Sequence, residues 1–133
     1  MKTDKKLDFE ELMQLARESA EVTRSCSCAA ESFREWTRIP VSFPNQQMRV
    51  AGTLLDDPYT EATYAECHPN GTNYWSVDAP IALRHFPYNR CSLLQCTVCG
   101  RCYLSYVEAG GYYVEPRIRE LDPRLIVDAE CDS

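Results

Sequence analysis

Four cysteines fall within twelve residues, Cys91-Ser-Leu-Leu-Gln-Cys96-Thr-Val-Cys99-Gly-Arg-Cys102, and no other feature restricts this chain's folding as strongly. The chain carries eight cysteines in 133 residues. Its N-terminus, MKTDKKLDFEEL, passes from lysines straight into acids without the apolar core of a signal peptide. A cytoplasmic location is therefore expected, where thiols stay reduced and clustering points to metal or redox chemistry rather than disulfides.

Within the cluster, Cys96-Thr-Val-Cys99-Gly100 resembles the knuckle of zinc ribbons and rubredoxins, in which one tight turn supplies two thiolates. A structural zinc site closes four tetrahedral positions with cysteine and histidine. Only one such knuckle is present, so the other ligands must come from elsewhere in the chain. Cys91 is the nearest candidate, followed by Cys102 and by the neighbouring Cys67 and His68. In extended chain Cys67 and His68 point to opposite faces, so at most one of them is expected to bind. His85, beside Phe86 and Pro87, is a weaker candidate. The expected ligands are thus Cys91, Cys96 and Cys99, with His68 and Cys102 competing for the fourth place.

Iron is the alternative. Cys91, Cys96 and Cys99 match the C-x4-C-x2-C spacing of plant-type [2Fe–2S] ferredoxins, with Cys131 downstream. Leu93 and Leu94 stand where that loop needs small residues, and the C-x2-C-x2-C match over Cys96, Cys99 and Cys102 lacks the Cys-Pro that completes a [4Fe–4S] motif. Charge favours a buried anionic centre. No acid lies between Asp78 and Glu108, whereas Arg84, Arg90 and Arg101 do, and a four-thiolate zinc needs nearby cations or amide donors.

Around this cluster the sequence predicts an α+β fold in a single domain over 1–133, with a helical segment at 1–38 and a β-rich metal-binding unit at 39–133. Apolar residues at Leu12, Leu15, Ala16, Ala20, Ala29, Phe33 and Trp36 recur at helical spacing. Asp8 and Glu11 form a capping box, and Leu7 with Leu12 occupy the positions of a hydrophobic staple. Ser25-Cys26-Ser27-Cys28 are poor helix formers, so the helix is expected to break there into two, the second covering Ala29 to Trp36. Cys26 and Cys28 could be metal ligands or a redox pair, but a two-residue spacing on a helix points their side chains apart, and small semi-buried fillers are the favoured reading.

After Pro40 the chain holds seven of its eight prolines and all five glycines, between short aromatic and β-branched runs. Strands are expected at 48–55, 74–77, 94–97, 102–107 and 112–115, the last two joined as a hairpin through Glu108-Ala-Gly-Gly111. Pro116 to Leu121 reads as one or two helical turns, 125–127 as a closing strand, and 128–133 as an acidic, frayed tail. The whole is an N-terminal helix packed on a small antiparallel, zinc-ribbon-like β unit.

Three segments, His68-Pro-Asn-Gly-Thr-Asn-Tyr-Trp-Ser76, Phe86-Pro-Tyr-Asn-Arg-Cys91 and Gly110-Gly-Tyr-Tyr113, resemble a family of small uncharacterised bacterial proteins carrying a single C-x2-C-G knuckle. The resemblance covers about residues 68–121. It implies His68, Cys91, Cys96 and Cys99 as the ligand set, with Cys102 left out.

Composition then bears on function. Apolar residues make up 44% and charged residues 26%, as in ordinary globular chains. No apolar run reaches the roughly 20 residues of a membrane span, and a net charge of −6 opposes nonspecific attraction to nucleic acid or anionic membrane. The expected role is protein–protein binding, as an adaptor or neutralising partner, around a structural zinc. Tyr103, Tyr106, Tyr112 and Tyr113 suit either an interface or a hairpin core. Nucleic-acid binding is the less favoured alternative. Catalysis is less favoured too, since neither HExxH nor an HxE plus PCxxC arrangement occurs.

Overall fold

The computed structural model describes residues 5–55, 63–109 and 114–128. Helix α1 spans Phe9–Ala20, and its start follows the capping-box expectation. The Glu11 amide donates to Asp8 Oδ1 at 2.8 Å, and the Asp8 amide donates back to Glu11 Oε1 at 3.3 Å. Leu7 and Leu12 are both buried in the same apolar cluster, on the side of the helix that faces the sheet. The helix ends at Ala20, and no second helix forms over 29–36: a 3-10 turn at Ser27–Ala29 leads into irregular chain. Tertiary packing explains the difference, because Phe33 and Trp36 are buried in two separate clusters rather than along one helical stripe.

The sheet has five antiparallel strands in the order β1-β6-β5-β4-β2. They are β1 Thr37–Arg38, β2 Met48–Thr53, β4 Ser92–Cys96, β5 Cys102–Ala109 and β6 Val114–Glu120. A small parallel pair, β3 Ile81–Ala82 with β7 Ile126–Val127, stands beside it. Architecture is therefore α+β, a helix packed on an antiparallel unit. The β5–β6 hairpin forms, with Ala109 opposite Val114, and its connection lies outside the described residues. So does the tail from 129 onward.

Two expectations fail in the second half. Residues 74–77 form turns rather than a strand, and 116–120 lie in β6 instead of helical turns. The alternation Pro116, Ile118, Glu120 against Arg117, Arg119 is what a sheet needs, and Ile118 and Arg119 are each fully buried on opposite faces. Pro116 is tolerated there because its carbonyl, not its missing N–H, is used, accepting from Ile39 N at 3.0 Å.

The sheet divides the interior into two clusters. Helix-side packing gathers Leu12, Ala16, Trp36, Cys91, Leu93, Cys102 and Leu104. On the other face lie Cys28, Phe33, Phe43, Cys96, Cys99, Tyr103 and Ile118. There the rings of Phe33, Phe43 and Tyr103 meet edge to face, with centroids 5.6–5.7 Å apart.

At the sheet's edge, the chain at Lys5–Leu7 pairs with β2. Thr53 N donates to Lys5 O at 2.8 Å and Leu7 N to Thr53 O at 3.0 Å. The register of β2 on β4 shifts between Val50 and Gly52, and a Cβ on Gly52 would lie 2.5 Å from Leu7 Cγ and 2.8 Å from Lys5 O. Gly52→Ala is therefore expected to lower unfolding stability by about 2 kcal/mol, the usual cost of overpacking, measured by urea titration. A cost below about 0.5 kcal/mol would show that the Leu7 segment simply moves aside.

Candidate metal centre

The knuckle forms between β4 and β5. Cys96 N donates to Arg101 O and Gly100 N to Cys96 O, both at 2.9 Å, and Gly100 adopts φ +92°, a conformation that favours glycine. Cys96 and Cys99 therefore project from one tight turn. Arg24 Nη2 donates to Val98 O, holding the turn from the outside.

The partners of these two thiols come from far away in the chain. The 3-10 turn after α1 carries Cys26 and Cys28 across the same face of the sheet. Cys26 Sγ lies 3.8 Å from Cys96 Sγ, and Cys28 Sγ lies 3.5 Å from Cys99 Sγ. All four sulfurs are within 4.8 Å of one another. Among the described residues, they form the one group of three or more His, Cys, Asp or Glu side chains close enough to hold a metal ion.

Strand parity explains why the other expected ligands lie elsewhere. On β4 and the residue before it, Cys91 and Leu93 face the helix, whereas Leu94 and Cys96 face the opposite cluster. On β5, Cys102 and Leu104 face the helix and Tyr103 faces away. Cys91 thus donates its S–H to Pro87 O at 3.3 Å, and Cys102 to Gly100 O at 3.8 Å. Burial pushes the Cys91 thiol far up and the Cys102 thiol up to about 12, so both are inert apolar fillers.

His68 is not near the knuckle thiols' partners; its Nε2 lies 2.7 Å from Glu66 Oε1 at the surface. Cys67 is disulfide-bonded, so it is not a free ligand, and the expectation that all eight thiols stay reduced does not hold for it. His85 is likewise outside the four-sulfur group. Sequence reasoning considered Cys26 and Cys28 as ligands but set them aside, because on a helix they would splay apart. The signal was present in Ser-Cys-Ser-Cys itself, a helix-poor stretch with two thiols and nothing else to bury.

Polar groups surround the four sulfurs. Tyr103 Oη donates to Cys28 O at 3.2 Å and lies 3.3 Å from Cys28 Sγ. Arg101 Nη1 is 3.6 Å from Cys99 Sγ. The Gln47 side chain faces Cys26 Sγ at 3.7 Å and Cys96 Sγ at 3.6 Å through Oε1, and its Nε2 donates to Ser27 Oγ at 3.1 Å. Gln47 is fixed to the knuckle by its own carbonyl, which accepts from both Thr97 N and Thr97 Oγ1 at 2.8 Å.

The thiols themselves differ. A hydrogen bond from the Cys28 backbone amide holds Cys26 down at about 7, while burial pushes Cys28 up to about 12. Of this pair, Cys26 is the thiol that ionises first.

Compared with known proteins, the chain matches no family model, no curated protein and no solved structure. No helix among the described residues is long and apolar enough to cross a membrane. Fold and site together define an α+β chain with a four-cysteine cluster able to hold a metal ion.

Proposed function

We propose that Cys26, Cys28, Cys96 and Cys99 hold one structural zinc ion, and that the protein acts by binding another protein, as an adaptor or neutralising partner. The spacing of the sulfurs carries the metal reading. Four thiolates at the Zn–S distance of about 2.3 Å in a tetrahedron have edges of about 3.8 Å; the Cys26–Cys96 and Cys28–Cys99 pairs stand at 3.8 and 3.5 Å, and all four sulfurs lie within 4.8 Å of one another. All-sulfur donors suit zinc or iron over hard cations. With four protein ligands no position is left for a substrate or an activated water, which is the pattern of a structural site rather than a catalytic one.

Support for protein binding comes from the surface. Trp75 and Tyr64 are 51% and 59% exposed. Arg117 lies 5.0 Å from the Trp75 ring centroid, and Arg90 lies 4.2 Å from that of Tyr64. Exposed aromatics beside arginines are typical of interface anchors. Two cations beside the knuckle, Arg24 and Arg101, are engaged with it, which favours a protein partner over a nucleic acid.

Elemental analysis of the purified protein should find one zinc per chain, released by a chelator or as pH falls and protons compete for the thiolates. Iron, or no metal in a fully folded protein, would overturn the zinc reading. A photo-crosslinking residue placed at Trp75 in cells should give one discrete protein adduct. Adducts to nucleic acid, or none, would overturn the binding role.

A further inference from the structure

Gln47 stands beside two sulfurs of the four-sulfur site without being a ligand. Its carboxamide spans one sulfur from each segment, Cys26 and Cys96, and its backbone is bonded twice to Thr97 of the knuckle. With thiol hydrogens on Cys26 and Cys96, the carbonyl end is the correct end to present, since Oε1 accepts. A sulfur that ligates a metal carries no proton and can only accept. The carbonyl end would then face two electron-rich sulfurs.

The surroundings permit the opposite orientation. Ser27 Oγ is 3.1 Å from Gln47 Nε2 and 3.4 Å from Oε1, and its hydroxyl either accepts or donates. We propose that Gln47 is a positioning residue of the metal site: on metal loading its terminal amide turns over, so that Nε2 donates to the Cys26 and Cys96 thiolates while Ser27 Oγ donates to Oε1. Cys26 and Cys96 then have a donor in Gln47 and Cys99 one in Arg101, while the single Tyr103 hydroxyl proton is shared between the Cys28 carbonyl and its sulfur. These donors offset the net charge near −2 of a tetrathiolate centre in a partly buried setting.

This inference rests on the metal reading, and one experiment separates the two. The full chain is loaded with 113Cd and examined by NMR for scalar coupling between the metal and side-chain amide protons. Coupling from the Gln47 Nε2 protons is the expected result. A loaded protein in which those protons show no coupling overturns the role of Gln47 while leaving the metal site standing; a chain that takes up no cadmium overturns the site itself, and the inference with it. Gln47→Glu, which replaces the donor by an anion, should weaken metal affinity about 10- to 100-fold in chelator competition. Unchanged affinity in that variant also counts against the proposal.

Discussion

Cys28→Ser and Cys96→Ser will each abolish stoichiometric metal binding and lower Tm by roughly 10 °C or more, whereas Cys91→Ser and Cys102→Ser will retain the metal. The reasoning starts from location. Cys28 and Cys96 lie in the four-sulfur cluster, on the face where Phe33, Phe43 and Tyr103 pack. Cys91 and Cys102 are fully buried among the helix-side residues, separated from the cluster by the sheet itself. Because the free energy of binding a structural metal is also folding free energy, losing one ligand removes much more than one contact. In the helix-side pair, a hydroxyl for a thiol costs about 1–2 kcal/mol of mismatched burial and nothing in metal content. Metal analysis and thermal melts of the four variants decide the matter. Loss of metal from Cys91→Ser with retention in Cys28→Ser would overturn the assignment.

The second large effect is expected at Arg119. Its side chain is fully buried and, among the described residues, makes no ion pair. The guanidinium is satisfied by neutral acceptors instead. Nε donates to Arg34 O at 3.2 Å, Nη2 to Val77 O at 3.2 Å and Ala79 O at 2.8 Å, and Nη1 to Tyr88 Oη. Tyr88 also accepts from Trp36 Nε1 at 3.1 Å, and burial raises its phenol above the ordinary value, so it remains neutral. One rigid fork thus ties β6 to the chain before β1 and to the turn before β3.

Arg119→Leu removes the donor from three carbonyls, that of Ala79 buried and those of Arg34 and Val77 partly buried, and one of the two donors to the Tyr88 hydroxyl. Each unsatisfied group costs about 1–3 kcal/mol, offset in part because a charge no longer needs burying. The expected loss is about 3–5 kcal/mol, read from urea unfolding. Arg119→Lys keeps the charge but has no planar fork, and should recover only part of that loss. Near-wild-type stability in Arg119→Leu would mean that the turn at 77–79 finds water or another donor.

Much of this molecule could be read from its residues, and the failures have physical causes. The capping box at Asp8 and Glu11 was legible because it is local, and so were β2, β4 and β5, whose patterns are periodic. The tight turn that presents Cys96 and Cys99 together was legible for the same reason. The identity of its partners was not, since proximity along the chain favoured Cys91 and Cys102 and the pleat turns both away. Alternation along Cys91, Leu93 and Leu94, Cys96 carried that information, once residue 92 is taken as the start of a strand. Arg119 was hidden too. A Pro-Arg-Ile-Arg-Glu run reads as one or two helical turns until Ile118 and Arg119 are placed on opposite faces of a sheet.

The distance between the two halves of the cluster has a consequence for how the protein is made. Cys26 and Cys96 are 70 residues apart in the chain, though their sulfurs are 3.8 Å apart in space. On a ribosome adding about 5–20 residues per second, the N-terminal thiols would wait on the order of several seconds before the knuckle emerges. In that interval Cys26 and Cys28 are an open pair, free to be captured by other metals, glutathione or a chaperone. β6, which flanks the central strand β5, is made later still. The four sulfurs therefore come together only late in synthesis, as a nearly post-translational event.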